Sequence, residues 1–302
     1  MNLFSISQLA QFSGIKPHTI RVWEQRYNAL SPDRSEGNTR YYDDKQLRRL
    51  LNIVSLMGDG AKVSQLCALS DKELFARIYH SAKAGKGDST NYYVNQLISA
   101  GMAFNVNDFD HAFSLCISKY GIRETYKKVI YPLMERIGLL WASDVLPAAS
   151  EHFISNLFRQ KLSAAIDSLE ASDSCSETWL LFLPENEFHE LALLYASFLI
   201  QLSGRKVIYL GSNVPFESLK FAIKETSPTN LLMFLIHNDS VSQTQKNLQE
   251  LNAYFTKNTI YLAGNQKLIS GLKYPENIKY LDSVEQLEQL LELNEYIKPF
   301  SE

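Results

Sequence analysis

The spacing of apolar residues changes character twice along the chain, and each change marks a different kind of structure. From Ile6 to Tyr27 the spacing is helical and broken once. Ile6, Leu9 and Ala10 share one helix face, and Ile20, Trp23 and Tyr27 share the packing face of a second. Ser5 or Ser7 is placed to cap the first helix, Gly14 to close it in a left-handed conformation, and Pro17 to open the second, where a missing amide donor costs nothing. His18, Arg21 and Gln25 fall at i−3, i and i+4 on a different face of that second helix. One face packs and another offers donors outward, which is helix-turn-helix geometry. Pro32 to Tyr42 then sets turn residues (Pro32, Asp33, Gly37, Asn38) between short extended pieces from which Arg34 and Arg40 project, a β-ribbon wing. Asp43 to Met57 is helical again, through Leu47, Leu50, Leu51, Val54 and Leu56. Gly58 and Gly60 break it, and Lys62 to Ser70 reads as a short helix.

Ser81 to Ser89 is polar and glycine-containing and reads as a linker. From Thr90 to Ser172 the pattern is helical throughout, with four segments: Tyr92–Ala103, Asp108–Lys119, Ile122–Ala142 and Pro147–Ser172. Asn107 or Asp108 and Ser143 or Asp144 stand as caps between them, and the apolar content predicts a four-helix bundle. After Glu177 short apolar runs take over: Thr178–Pro184, Lys206–Gly211, Asn230–His237, Thr259–Gly264 and Ile278–Leu281. Helical segments Glu190–Leu202, Pro215–Glu225, Ser240–Phe255, Asn265–Leu272 and Ser283–Tyr296 separate them, so the strands pair in parallel with helices on both faces. The predicted fold class is multidomain, mainly α with α/β. A winged helix-turn-helix head (1–80) precedes a four-helix bundle (88–172) and a flavodoxin-like, Rossmann-like doubly wound parallel sheet (177–302). Ligands of such sheets sit beyond the carboxyl ends of the strands, here the loops Pro184–His189, Gly211–Pro215, His237–Ser240 and Gly264–Gln266. Gly211, Asn213 and Gly264 are candidate binding positions there.

Charge sharpens the division. Residues 1–50 hold eight Lys/Arg against five Asp/Glu, a net +3, whereas the rest holds 22 against 28, a net −6. A basic head on an acidic body fits phosphate contact by one domain. In 302 residues, 45% hydrophobic and 21% charged, there is material for two or three cores. Cys67, Cys116 and Cys175 are odd in number and far apart, without zinc or disulfide spacing, so a reducing cytoplasm and small buried thiols are expected. No apolar run reaches about 18 residues and no signal-peptide pattern opens the chain, so no membrane partner is expected.

HTIRVWEQRY, SPDR, GNTRYY and DDKQLRRLLNIVSLMGDGAKV, in that order, resemble the DNA-binding domain of the MerR family of transcription regulators over roughly the first 65 residues. The resemblance implies a double-stranded DNA operator, met by His18, Thr19, Arg21, Gln25 and Arg26 of the second helix and by Arg34, Arg40 and Tyr41 of the wing. It also implies self-association as a dimer or tetramer. The remainder is similar to the cobalamin-binding modules of corrinoid methyltransferases, and the whole to the light-sensing, adenosylcobalamin-dependent MerR-type repressors of carotenoid genes. In that family a Trp, nine residues and then Glu-His line the cap above the corrin, matched here by Trp141, Glu151 and His152. A Glu-x-His-x-x-Gly loop supplies the histidine that binds cobalt from below, matched by Glu187 and His189. The implied cofactor is therefore cobalamin, as adenosylcobalamin or methylcobalamin, with His189 as metal ligand and Glu187 fixing its tautomer.

The chain departs from that pattern at named positions. The loop's terminal glycine is Ala192, the later Gly-Gly is Ala263-Gly264 followed by Asn265, and His237-Asn238-Asp239-Ser240 stands where a serine motif belongs. The histidine that directly follows the cap tryptophan in the photoreceptors is Ala142, which removes the bis-histidine state formed after photolysis. The sequence thus points to a non-enzymatic regulator whose C-terminal module senses a cobalamin and changes its oligomeric state or domain arrangement. The alternative is a regulator whose cobalamin-like module has lost the ligand and serves as an oligomerisation or protein-interaction scaffold. A corrinoid methyl carrier is disfavoured, since a helix-turn-helix has no part in that chemistry.

Overall fold

The computed structural model describes residues 3–35, 37–57, 61–74, 76–77, 90–142, 147–170, 176–236, 241–255 and 259–293. They divide into two compact units, Met1–Ser155 and Asn156–Glu302.

In the first unit α1 (Ile6–Ser13) starts at a reciprocal cap. The Gln8 amide donates to Ser5 Oγ at 3.3 Å while the Ser5 amide donates to the Gln8 side chain at 2.6 Å. Gly14, at φ 71°, ends it, and Pro17 opens α2 (Pro17–Tyr27). Strands β1 (Asp33–Arg34) and β2 (Arg40–Tyr41) pair antiparallel as the expected wing, and Tyr42 continues β2 by bridging to Phe4 near the start of the chain. Helices α3 (Asp44–Met57) and α4 (Val63–Cys67) complete the head around Leu9, Phe12, Ile20, Trp23, Leu47 and Leu50. Arg49 holds these pieces together, donating to the carbonyls of Ala29, Cys67 and Leu69 and pairing with Asp71. One core expectation fails: Tyr27 is 37% exposed. It is the last residue of α2, where left-handed Asn28 turns the chain aside, and the residue buried beyond Trp23 is Glu24.

The helical part follows as α5 (Thr90–Met102), α6 (Val106–Thr125), a π-helical stretch over Tyr126–Ile130, α7 (Tyr131–Ala142) and α8 (Ala148–Asp167). Gly121 (φ 71°, ψ 169°) breaks α6 where the apolar pattern breaks, between Lys119 and Ile122. The cap before α6 is Asn105, accepting from the Asp108 amide at 3.2 Å, and not Asn107 or Asp108, because left-handed Phe104 (φ 52°) ends the preceding turn earlier. Helix α8 approaches α5 at Gly101, where a Cβ would lie 2.3 Å from the Ile154 side chain. α8 stops at Asp167 rather than Ser172, and residues 171–175, Cys175 among them, lie outside the described part, as do Gly58, Gly60, the 81–89 linker, Ser143 and Asp144. Helix α3 packs on α5, where Gln96 donates to Ser55 Oγ at 3.1 Å, so head and helical region form one compact unit. Cys67 and Cys116 are buried thiols.

The second unit is a five-stranded parallel sheet: β3 (Thr178–Pro184), β4 (Lys206–Val214), β5 (Asn230–Leu235), β6 (Thr259–Gly264) and β7 (Ile278–Leu281). Its order β4-β3-β5-β6-β7 is the doubly wound, flavodoxin-like arrangement. The intervening helices are α9 (Glu190–Leu202), α10 (Phe216–Thr226), α11 (Val241–Tyr254), α12 (Gln266–Ile269) and α13 (Val284–Leu290). Leu180 to Leu183 are buried in succession, as a strand covered on both faces requires. Strand β4 runs past its expected end at Gly211 to Val214, because its register against β3 shifts at Phe182 and again before Pro184. Gly211 (φ 80°) and Asn213 (φ 55°) take the left-handed conformations that such bulges need. Among the described residues no helix is long and apolar enough to cross a membrane.

Candidate functional site

On the head, α2 presents His18, Arg21, Gln25 and Arg26 as exposed side chains, with Thr19 half-buried between them. Arg34 is exposed on β1 and donates to Asn38 Oδ1 at 2.5 Å, and Tyr41 is half-buried on β2. Arg40 does not simply project. Its Nε donates to Glu24 Oε2 at 3.2 Å, and its side chain is 26% exposed. The sequence reading missed Glu24, since a carboxylate beside arginines reads as solvated. The available signal was its place four residues after buried Ile20.

At the carboxyl edge of the sheet, left-handed Asn186 turns the chain after β3 so that Glu187 points inward and is buried. Glu187 Oε1 accepts from the amides of Phe188 (3.0 Å) and His189 (3.2 Å) and lies 2.5 Å from His189 Nδ1. Its Oε2 accepts from the Ile236 amide at 2.9 Å, just beyond β5. Its carbonyl accepts from the Asn213 amide, while Asn213 Oδ1 accepts from the Asn186 amide at 3.0 Å. Glu187 therefore ties together the ends of β3, β4 and β5, its carboxylate reaching β5 and its backbone carbonyl β4. His189 stands at the N-terminus of α9 with its side chain 56% exposed. With Nδ1 held by a carboxylate, a metal would be met by Nε2.

Beside it, Glu190 accepts from Tyr209 Oη at 3.1 Å and pairs with Arg159 at 2.8 Å. Burial, with Glu190's charge, pushes the Tyr209 phenol well above its ordinary range. A Cβ on Gly211 would lie 3.2 Å from Glu190 Oε1, so glycine gives that carboxylate room. Gly264 (φ 121°) is demanded by the backbone itself: a Cβ would lie 2.3 Å from the Leu235 carbonyl oxygen, which accepts from the Asn265 amide at 2.8 Å. The structure thus brings Glu187 and His189 into direct contact and gathers Gly211, Asn213 and Gly264 on the same sheet edge. On the other unit Glu151 and His152 open α8 with 3.0 Å between Oε2 and Nδ1. Trp141 and Ala142 end α7. The Trp141 side chain and His237–Ser240 lie outside the described part.

Comparison with known proteins decides what these parts belong to. Residues 4–70 match the MerR HTH family regulatory protein, and residues 75–166 match a B12 binding domain. The chain is a MerR-type regulator with a B12-binding domain. It is homologous to the HTH-type transcriptional repressor CarH of Myxococcus xanthus, 25% identical over 231 residues that span 74% of this chain and 76% of that one. The repressor CarA of the same organism is 27% identical over 235 residues, 74% of this chain and 73% of that one. In fold it is similar to the Methanosarcina barkeri monomethylamine corrinoid protein, with TM-score 0.51 and 14% identity over 74% of this chain and all (100%) of that one. The B12 match includes Trp141, Glu151 and His152, whereas Glu187 and His189 lie downstream of it in the sheet unit.

Proposed function

We propose that this regulator senses a cobalamin through His189 and answers by changing its self-association, and with it its hold on an operator. The observation that carries the reading is the buried Glu187 bonded to His189 Nδ1 at the carboxyl edge of the sheet. One imidazole oriented by one carboxylate is the donor set for a metal that arrives with its equatorial positions filled by a macrocycle. Bound there, the corrin would supply a cobalt centre with a visible spectrum, and His189 would be the residue that holds it. Glu187 fixes the tautomer and the height of the ring, and Gly211, Asn213 and Gly264 shape the surrounding loops. Trp141, Glu151 and His152 are assigned to the cofactor's upper side, Glu151 and His152 offering hydrogen bonds to a polar upper group. On DNA, His18, Thr19, Arg21, Gln25 and Arg26 with Arg34, Arg40 and Tyr41 make up the contacting face. Segments 1–80, 88–172 and 177–302 act as head, cap and cofactor domain of a cytoplasmic, non-enzymatic repressor that forms dimers or tetramers.

The test is to titrate the purified chain in the dark with adenosylcobalamin and with methylcobalamin, following the visible spectrum and the oligomer size. A histidine-on spectrum lost in His189→Ala, together with altered upper-ligand preference in Trp141→Ala, supports the reading. With Ala142 after the tryptophan, illumination should yield no stable bis-histidine adduct. No uptake of either cobalamin at tens of micromolar would leave a DNA-binding regulator with a ligand-free scaffold.

A further inference from the structure

Glu24 stands apart from the exposed face of α2, yet two side chains of the head, Arg40 and Tyr42, converge on it. It is 8% exposed, and its two oxygens are divided between two elements: Oε2 accepts from Arg40 Nε at 3.2 Å, and Oε1 accepts from the Tyr42 hydroxyl. Tyr42 is itself fully buried and locked by paired backbone bonds to Phe4, 2.8 and 2.9 Å. One carboxylate on α2 therefore fixes the second wing strand and, through Tyr42, the start of the chain. Arg21, one turn before Glu24, belongs to the same neighbourhood: its charge and that of Arg40 both act on the Tyr42 phenol, against the pull of Glu24 and of burial.

The geometry points to Glu24 as a positioning residue for DNA specificity, setting the wing against α2 so that Arg21 and Arg40 meet one duplex in a fixed register. The physical ground is the asymmetry of buried charge. A buried ion pair contributes little net stability but imposes one arrangement, because any other leaves a carboxylate without partners. Held through Nε, the planar Arg40 guanidinium keeps its terminal nitrogens for an outside acceptor in one orientation, a constraint that a lysine cannot reproduce. The same negative charge beside two arginines weakens their general attraction to phosphates. Glu24 thus trades affinity for any duplex against discrimination between duplexes. The inference rests on Arg21 and Arg40 being DNA contacts, not on the cobalamin reading.

The experiment uses the full chain and two probes: a 30-bp duplex enriched by the wild-type protein from a random library, and a scrambled duplex of the same composition. Binding to both is measured over a salt series for wild type, Glu24→Gln, Glu24→Asp, Arg40→Lys, Arg21→Ala and Arg40→Ala. Glu24→Gln should lose about tenfold or more of the preference for the enriched duplex, the order of one lost specific contact. Its binding to the scrambled duplex should be equal or tighter. Glu24→Asp should recover part of the preference. Arg40→Lys, which keeps the charge and the fold but not the planar fork, should lose preference without losing scrambled-duplex affinity, and it decides the matter if Glu24→Gln does not fold. Wild-type preference in Glu24→Gln and Arg40→Lys would overturn the proposal. So would a parallel fall on both probes accompanied by a lowered Tm, which is the mark of a merely structural role. Unchanged binding in Arg21→Ala and Arg40→Ala would overturn it by another route, by removing the contacts that Glu24 is said to position.

Discussion

Each compact unit holds a buried carboxylate at its candidate site, Glu24 in one and Glu187 in the other, and the two differ in what satisfies them. Glu24 is met by side chains, the Arg40 guanidinium and the Tyr42 hydroxyl. Glu187 is met mainly by backbone amides, those of Phe188, His189 and Ile236, with one imidazole added. Amides on strand ends and at a helix start cannot swing away, so Glu187 sits in a site fixed by the backbone and holds the His189 ring there. Side-chain donors are set by residue identity, so the arrangement that the Glu24 cluster imposes can be tuned by single substitutions on the wing. The metal-ligand role proposed for His189 gains from the first arrangement, because its ring must be presented at one height. A DNA-reading head gains from the second, because the register of its wing can be matched to a duplex by changing single side chains.

The comparison is broken most directly at Glu187. Glu187→Ala strands three amide donors and unlinks the loop after β3 from the end of β5, leaving the carbonyl bond to the Asn213 amide on β4 in place, and it is expected to destabilise the sheet unit by about 2–4 kcal/mol. Amide exchange should show it first at Ile236 and then at the neighbouring strand ends. Glu187→Gln, which keeps one acceptor and the shape, should cost about half as much while still weakening the hold on His189 Nδ1. Equal exchange rates in wild type and Glu187→Ala would mean that the amides do not depend on the carboxylate.

Glu24→Ala comes next, at about 2 kcal/mol in the head, smaller because Arg40 is already 26% exposed and can turn to water. A double-mutant cycle with Tyr42→Phe sharpens the point. A coupling near 1 kcal/mol is expected if the hydroxyl and the carboxylate share one buried bond, and additivity would separate them.

The two carboxylates were not equally legible in the sequence. Glu187 stood beside a histidine in a loop immediately after a five-residue apolar core of a strand, in a position where doubly wound sheets place their ligands, so pattern and topology together reached it. Strand β3 and helix α9 were readable to the residue, because Pro184 and the His189–Glu190 boundary punctuate them. Glu24 was hidden among Arg21, Gln25 and Arg26, where local charge implied solvent, and only the tertiary approach of β2 buries it. Tyr27 failed for the converse reason: its spacing is that of the core, but the helix ends beneath it. The bulges that carry β4 to Val214 depend on its pairing with β3, which no one-strand pattern contains. Gly264, read as the remnant of a cofactor motif, is required by the Leu235 carbonyl whatever binds nearby.

A weaker effect is expected at Arg159, whose pair with Glu190 lies next to the His189 loop. Its side chain is 45% exposed, so Arg159→Ala should cost only about 0.5–1 kcal/mol. Glu190 would then keep the Tyr209 hydroxyl as its partner. Chemical denaturation of the full chain measures this. A loss comparable to that of Glu187→Ala would show that the side-chain cluster, and not the amide cluster, holds the sheet edge together.

The smallest effect supplies the contrast of a carboxylate that is not buried. Glu177 accepts from Arg205 Nε at 2.8 Å and is 43% exposed. The hydrogen bond from Arg205 is the main reason its carboxyl lies below the ordinary carboxylate range, with the charge of Arg205 acting in the same direction. A carboxylate whose pKa is depressed by folding contributes stability that is fully present above its unfolded value, about 4.3, and is lost as pH falls from there through the folded value. Solvent screening limits that contribution to a few tenths of a kcal/mol. Arg205→Ala should therefore leave stability at pH 7 almost unchanged and slightly flatten the acid side of a Tm-against-pH curve below about pH 4.3. Arg205 also donates to the Leu291 carbonyl at 3.1 Å, so a small pH-independent offset should accompany the change. If the acid side keeps its wild-type slope in Arg205→Ala, Glu177 draws nothing measurable from the pair.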